Sequence, residues 1–316
     1  MRILLTGSSG WLGRYLAPAL KARGDTVTGL DVAPGGHTDV VGSVADRALV
    51  EEVFLEHGIE AVIHGGALHK PDVARYPKQA FVDVNVTGTL NLLEAAAAAG
   101  HDRFVFTSTT SLMISQAIRD EAGDAAVWLD ETAGPLAPRN VYGVTKLAAE
   151  GLCRLFASEH RLGIVVLRTA RFFPEEDDTL DHLSGENLKA NEFLNRRLTV
   201  EDAAAAHIAA LDRAPELGFE TFVVAAPTPF QRNEAGELKC GAAAVIARHF
   251  PQAAQLYAAR GWQLPGSIGR VYDASRMERV LGFRCRTDFA AILKALEEGG
   301  PLPFQHDPAY VSPKEV

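Results

Sequence analysis

Thr6-Gly7-Ser8-Ser9-Gly10-Trp11-Leu12-Gly13 follows the apolar run Ile3-Leu4-Leu5 and opens a helical pattern over residues 12–22 that stops at Gly24. A strand, a glycine-rich turn and a helix in that order read as a phosphate-binding turn. Gly7 and Gly10 permit a tight turn and close approach of backbone to a pyrophosphate, and Gly13 lets the helix lie against the sheet. The helix N-terminus then offers free N–H groups and a positive dipole end to the phosphates. Ser9, Trp11 and Leu12 belong to the same turn and are expected to contact the cofactor. The next apolar run, residues 26–30, closes at Asp31. A carboxylate there either accepts hydrogen bonds from adenine ribose hydroxyls or merely caps a turn; in the first case it repels a 2′-phosphate and favours NAD over NADP. No arginine directly follows it.

Outward from this unit, short apolar runs alternate with longer helical patterns. Helices are expected at residues 47–57, 81–99 and 142–160, and strands at 61–64, 103–107 and 164–167. Continuous apolar strands separated by helices predict an α/β protein, a Rossmann-type doubly wound parallel sheet covered on both faces. Beyond residue 170 the rhythm loosens. Phe172-Phe173-Pro174 precedes a charged loop, Glu175-Glu176-Asp177-Asp178; helices are expected at 201–211, 242–250 and 289–298, and a strand at 221–225. Pro301, Pro303, Pro308 and Pro313 predict a loose tail over the last sixteen residues. The expected division is an NAD-binding domain over 1–170 and a smaller, mainly substrate-binding α/β region over 171–316, with about 198–225 returning to the first domain.

The 316 residues carry 31 Lys+Arg against 40 Asp+Glu, a formal charge of −9. No basic surplus exists to displace counterions from phosphates, which argues against nucleic-acid and anionic-membrane partners. At 47% hydrophobic and 22% charged, the chain can build a substantial core, and disordered or fibrous classes are excluded. Cys153, Cys240 and Cys285 are far apart and odd in number, so they form neither a disulfide framework nor a metal pattern, and they fit a reducing cytoplasm. No metal is expected. The start, Met1-Arg2-Ile3-Leu4-Leu5-Thr6-Gly7, turns at glycine where a signal peptide needs its apolar stretch, and runs such as residues 95–99 are too short to cross a bilayer.

Tyr142-Gly143-Val144-Thr145-Lys146 puts two functional side chains four apart, on one face of a predicted helix. A free tyrosine, with a pKa of about 10, is a poor base at neutral pH. A neighbouring ammonium, helped by the positive ring of a nicotinamide, favours the phenolate. Such a tyrosine can take a proton from a hydroxyl as hydride leaves for the cofactor, or return it during reduction. Lys146 would also bond the nicotinamide ribose.

Taken together these segments resemble the extended short-chain dehydrogenase/reductase family, the branch of NAD-dependent sugar epimerases and dehydratases. Supporting stretches are His64-Gly65-Gly66-Ala67, Asn85-Val86-Thr87-Gly88-Thr89-Leu90-Asn91, Phe104-Val105-Phe106-Thr107-Ser108-Thr109, Leu167-Arg168, Arg197-Leu198-Thr199-Val200-Glu201-Asp202, Tyr272-Asp273-Ala274-Ser275 and Leu281-Gly282-Phe283. The resemblance implies a catalytic set of Thr109, Tyr142 and Lys146, with Thr109 bonding the reacting hydroxyl or carbonyl. It implies Asn85 as a cofactor-positioning residue, Gly65, Gly66 and Ala67 passing under the cofactor, and Thr107 among the cofactor-binding residues. Ser43 stands where many relatives place an Asp that meets the adenine. A homodimer through the helices at 81–99 and 142–160 is a further implication.

Departures from the family pattern bear on the substrate. Dehydratases carry an Asp-Glu pair directly after the catalytic threonine; here Thr110 and Ser111 occupy those positions, which argues against dehydration. Where nucleotide-sugar enzymes have a phosphate-contacting Asn after Leu167-Arg168, this chain has Arg171, then Phe172 and Phe173. Arg171 either grips a substrate carboxylate or phosphate, or neutralises Glu175 or Glu176. His69 is either a substrate contact or a packed or surface residue, and Phe172 and Phe173 either core or pocket wall or a stacking platform for a uracil or guanine base. The expectation is NAD-dependent hydride transfer at a hydroxyl or keto carbon of a sugar or sugar-like small molecule, as an epimerase or a dehydrogenase. The alternative is a non-catalytic dinucleotide sensor or interaction protein on the same fold.

Overall fold

The computed structural model describes residues 1–176 and 183–315. Asp177 and Asp178 of the expected charged loop lie outside the described residues. The strands are β1 Arg2–Thr6, β2 Thr26–Asp31, β3 Val40–Val41, β4 Ala61–His64, β5 Arg103–Thr109, β6 Val127–Leu129, β7 Gly163–Thr169, β8 Phe219–Val224 and β9 Arg270–Tyr272. Those that pair form a seven-stranded parallel sheet in the order β3-β2-β1-β4-β5-β7-β8 and a separate parallel pair, β6-β9. The β6-β9 pair has no counterpart among the sequence expectations, because three residues are too few to show alternation.

The helices are α1 Gly13–Ala22, α2 Arg47–His57, α3 Lys78–Val82, α4 Gly88–Ala98, α5 Gln116–Arg119, α6 Val141–Glu159, α7 Gly185–Glu192, α8 Val200–Leu217, α9 Ala235–His249, α10 Ala253–Ala259 and α11 Phe289–Glu298. Strand periodicity explains the layering. Ile3, Leu5, Ile63, Val105, Val165 and Leu167 face one core with α1 and α8. Their chain neighbours Leu4, Val62, Phe104, Phe106, Ile164 and Val166 face the other, with α2, α4 and α6. Each such side chain contributes roughly 1.5–3 kcal/mol when fully buried, so both faces hold their helices. A third core, with Phe193, Tyr257, Trp262, Val271 and Phe289, lies under the C-terminal helices.

Strand order reverses between β1, which pairs with β2, and β4, which pairs with β5. Helices must leave that point in opposite directions, which opens a crevice above Thr6 and His64 at the carboxyl ends of the strands.

Three expectations are corrected. The single helix expected over 81–99 is broken by a π-helical turn at Asp83–Thr87 between α3 and α4. That wider turn carries Asn85, which is buried, and π turns of this kind concentrate at functional sites. The helix expected at 201–211 runs on to Leu217, with Pro215 inside its last turn. The expected loose tail is docked instead. Phe304 stacks on Phe193 at 5.5 Å, Asp307 N–H donates to the Pro174 carbonyl, and Tyr310 packs edge-on against Trp11 at 5.1 Å. Among the described residues the tail forms no α-helix and ends in a 3-10 turn at Pro313–Glu315, but its prolines do not prevent it from packing.

Candidate active site

The glycine turn has the shape its sequence requires. Gly7 sits at φ +77°, and a Cβ there would lie 2.8 Å from the Gly66 nitrogen; a Cβ on Gly13 would meet the Gly7 carbonyl oxygen at 2.4 Å. No side chain fits at either place. The N–H groups of Trp11 and Leu12, just ahead of α1, find no backbone partner among the described residues. The buried indole Nε1 of Trp11 has no partner there either. Orphan donors around a cradle without side chains suit a dinucleotide's phosphates.

The groove over this turn is open to solvent. Gly7, Gly10, Trp11, Leu12, Gly13, Asp31 and Ser43 line one end. Gly65, Gly66, Ala67 and Thr107 line its floor, and His69, Phe172 and Phe173 the far end. Asp31 lines the groove, and its carboxylate accepts from the Ser9 and Ala33 backbone N–H groups at 3.0 Å each, the contacts of a turn cap.

The side chain of one expected cofactor contact points elsewhere. The Ser9 hydroxyl is turned away, donating to the Ala33 carbonyl at 2.8 Å and meeting Thr38, because the Asp31 loop captures it. Asn85 is not part of the groove wall. Its amide grips Leu68 through both the N–H and the carbonyl and donates to the Thr145 hydroxyl.

Asn140 caps α6, its Oδ1 accepting from the Gly143 N–H at 2.9 Å. That start places Tyr142 and Lys146 one turn apart on the buried face. The Lys146 ammonium donates to the Thr107 carbonyl at 2.8 Å and lies 4.6 Å from the Phe106 ring centre. Thr109 acts on the Tyr142 hydroxyl from beside it, and its Oγ1 accepts from the Ser111 N–H at 3.1 Å.

The electrostatics differ from those inferred for a tyrosine beside a free ammonium. Burial pushes the Tyr142 phenol up to about 12, against a smaller downward pull from Thr109. Burial likewise brings Lys146 down to about 7, so its charge is only partly present near neutrality to assist the phenol. Without cofactor, Tyr142 is therefore expected to ionise later than an ordinary tyrosine. The ultraviolet difference titration between the protein and Tyr142→Phe checks this, and a midpoint at or below 10 contradicts it.

Behind the pair lies a buried ion bridge. Arg168 donates to both Glu150 oxygens at 3.0 and 2.7 Å, and Ser108 donates to the same carboxylate at 2.6 Å. This joins β5, β7 and α6 directly beneath the reacting groups. His207, drawn down to about 4 by burial, makes a second tie. Its Nδ1–H donates to the Ala203 carbonyl at 2.7 Å, so Nε2 accepts from the Thr107 hydroxyl at 2.8 Å.

At the rim, His69 is half-buried, with its ring 6.1 Å from Tyr142 and 5.6 Å from Phe173. Phe172 and Phe173 stack at 4.7 Å and wall the groove. Arg171 approaches Glu175 at 3.9 Å, the neutralising alternative. Ser312, Pro313 and Lys314 of the docked tail complete the wall, and the Lys314 ammonium reaches the Ala67 carbonyl and the buried Asp72 carboxylate.

Residues 3–225 match the model of the NAD dependent epimerase/dehydratase family. The chain belongs to the NAD-dependent epimerase/dehydratase family. Family members similar to it include the UDP-glucose 4-epimerase of Rhizobium meliloti, 34% identical over 173 residues, covering 52% of this chain and 50% of that protein. An L-arabinose 1-dehydrogenase (NAD(P)(+)) of Haloferax volcanii is 34% identical over 171 residues, covering 53% of this chain and 65% of that one. The uronate dehydrogenase of Pseudomonas putida is 28% identical over 180 residues, covering 55% and 62%. The match thus spans half to two thirds of these relatives. Among solved structures, a short-chain dehydrogenase/reductase superfamily protein from Agrobacterium tumefaciens with bound NAD superposes with a TM-score of 0.65 at 25% identity, covering 94% of this chain and 96% of that one.

Sequence reading missed Thr6, His64, Asp72, Glu150, His207 and Lys314 as parts of the site. The signal available was polarity out of place: Thr6 and His64 end apolar strands, and His207 interrupts an alanine-rich helix.

Proposed function

We propose that this protein is an NAD-dependent oxidoreductase or epimerase that moves hydride at a hydroxyl or keto carbon of a sugar or sugar derivative. The observation that carries the reading is Tyr142 and Lys146 one turn apart on α6, with Thr109 next to the phenol, beside a groove built on the glycine turn. When bound, NAD supplies the hydride acceptor and a positive ring. Gly7, Gly10 and the free N–H groups ahead of α1 hold its phosphates, and Asp31 its adenine ribose. Thr109 orients the reacting oxygen. Tyr142 takes that oxygen's proton on oxidation and returns it on reduction. The positive ring of a bound cofactor would supply the pull that half-charged Lys146 lacks, because an opposite charge favours the phenolate. Thr110 and Ser111 offer no acid for dehydration.

The substrate enters past His69, Phe172 and Phe173. The test is an absorbance screen at the reduced-nicotinamide band against free sugars, uronic acids, nucleotide sugars and hydroxy acids, with a parallel assay for NAD released on denaturation. Net reduction of NAD marks a dehydrogenase; interconversion of sugar epimers with retained NAD marks an epimerase. No uptake of NAD and no turnover across the panel overturns the reading in favour of a non-catalytic role.

Asp31→Ala is expected to weaken NAD binding and narrow its advantage over NADP, because the ribose acceptor and the repulsion of a 2′-phosphate leave together. Calorimetric affinities for both cofactors check it, and an unchanged ratio discards the ribose assignment. We further propose a cytoplasmic homodimer. Exposed Val82 near the start of the long helical run, with Val144 and Leu155 on α6, supports pairing through those helices. Among the described residues no helix is long and apolar enough to cross a membrane.

A further inference from the structure

His64 ends β4 beside Thr6 at the end of β1, and is 1% exposed. Its two ring nitrogens are each hydrogen-bonded, Nδ1 to Thr6 Oγ1 at 2.7 Å and Nε2 to Thr89 Oγ1 at 3.1 Å. The direction of these bonds is set by the neighbours. Thr89 gives its only proton to the Asn85 carbonyl at 2.7 Å, so toward the ring it can only accept. Nε2 therefore carries the imidazole proton. In the neutral ring Nδ1 must then accept, and Thr6 donates to it. The same Thr6 oxygen accepts the Gly66 N–H at 3.0 Å.

A single polarised chain results: Gly66 N–H to Thr6, Thr6 to His64, His64 to Thr89, Thr89 to Asn85. Gly66 is held at the floor of the groove, where Gly7 leaves room for no side chain. A ring with two protons would turn the Thr6 hydroxyl out of its bond. The surroundings offer it no compensation, since Phe104 and Phe106 pack on the ring and Lys146 is the charged group acting on it.

We propose that His64 is a positioning residue, a neutral Nε2–H imidazole whose acceptor nitrogen orients Thr6 and so fixes the Gly65–Gly66 turn under the dinucleotide. This rests on the NAD-dependent reading above. Cooperative chains of this kind are strengthened by one polarity throughout and lose strength when it is reversed. The role is to hold the turn through Thr6; the ring itself does not touch the cofactor.

The test separates the two ring nitrogens. An asparagine at 64 keeps an acceptor near the Nδ1 position, whereas a glutamine keeps a donor near Nε2. His64→Asn is expected to keep NAD affinity within about threefold of the parent, and His64→Gln to lose about tenfold, the scale of one buried hydrogen bond. Calorimetry with NAD reads this, with melting curves recorded for each variant. Should both variants fail to fold, the same contrast is read from Thr89→Val, expected within about threefold, and Thr6→Val, expected to lose about tenfold. Equal losses or no losses across either pair overturn the proposal, because a merely structural histidine would not distinguish the two arms. Independently, a long-range proton–nitrogen correlation spectrum of histidine-labelled protein should show His64 as the Nε2–H tautomer from pH 8 down to pH 5.5. An Nδ1–H tautomer, or protonation near 6.5, overturns the proposal. If the parent protein takes up no NAD, the functional reading fails, while the spectrum still decides the tautomer.

Discussion

Tyr142→Phe should lower turnover by about 10²–10⁴-fold, the range removed with a positioned general acid or base, while NAD affinity changes by less than about threefold. The phenol sits next to Thr109 and is not part of the groove wall, which is lined by the glycine turn, Asp31 and the Gly65–Ala67 loop. Removing one oxygen therefore leaves the cofactor's contacts in place and takes away the group that moves the proton. Steady-state rates on the best sugar of the screen, with calorimetry on NAD, check the two halves separately. Full activity in the variant would remove Tyr142 as acid and base. A collapse of NAD affinity would instead mean that the phenol shapes the groove.

The second large effect is on stability. Glu150→Gln keeps the shape of the side chain but strips the charge facing Arg168, whose own side chain is 8% exposed. Breaking a buried ion pair by neutralising one partner costs about 3–5 kcal/mol. At about 2–4 °C per kcal/mol for domains somewhat smaller than this chain, the melting temperature should fall by about 10 °C. The double variant Glu150→Met with Arg168→Met should recover most of that loss, since the desolvation cost of the pair disappears with both charges. Scanning calorimetry measures both. An unchanged melting temperature in the single variant would show that water reaches the pair.

Much of this was readable from residue order alone because it depends on local rules. Gly7, Gly10 and Gly13 are required by close backbone approach, and the alternation of Leu4 with Ile3 and Leu5 is required by a sheet covered on both sides. Tyr142 and Lys146 are legible for the same reason, as four residues make one helical turn. What escaped reading is long-range. Nothing around residue 85 announces a π turn, and no local pattern tells that the Ser9 hydroxyl prefers Ala33 to the groove. The lowered charge on Lys146 comes from burial contributed by many elements at once, so its sequence neighbours could not reveal it. Proline content predicted the tail's irregular backbone, but Tyr310 and Lys314 find their partners some 240 or more positions away.

That tail separates holding from trapping. Every residue proposed above to cradle the phosphates and ribose lies within the stretch matched by the family model, residues 3–225, whereas Ser312, Pro313 and Lys314 wall the same groove from outside that stretch. A protease that clips near residue 305 would thus spare the binding determinants and unroof them. Dinucleotide release would quicken without any change in which dinucleotide is chosen, and residence time and selectivity would become independently tunable properties of one polypeptide.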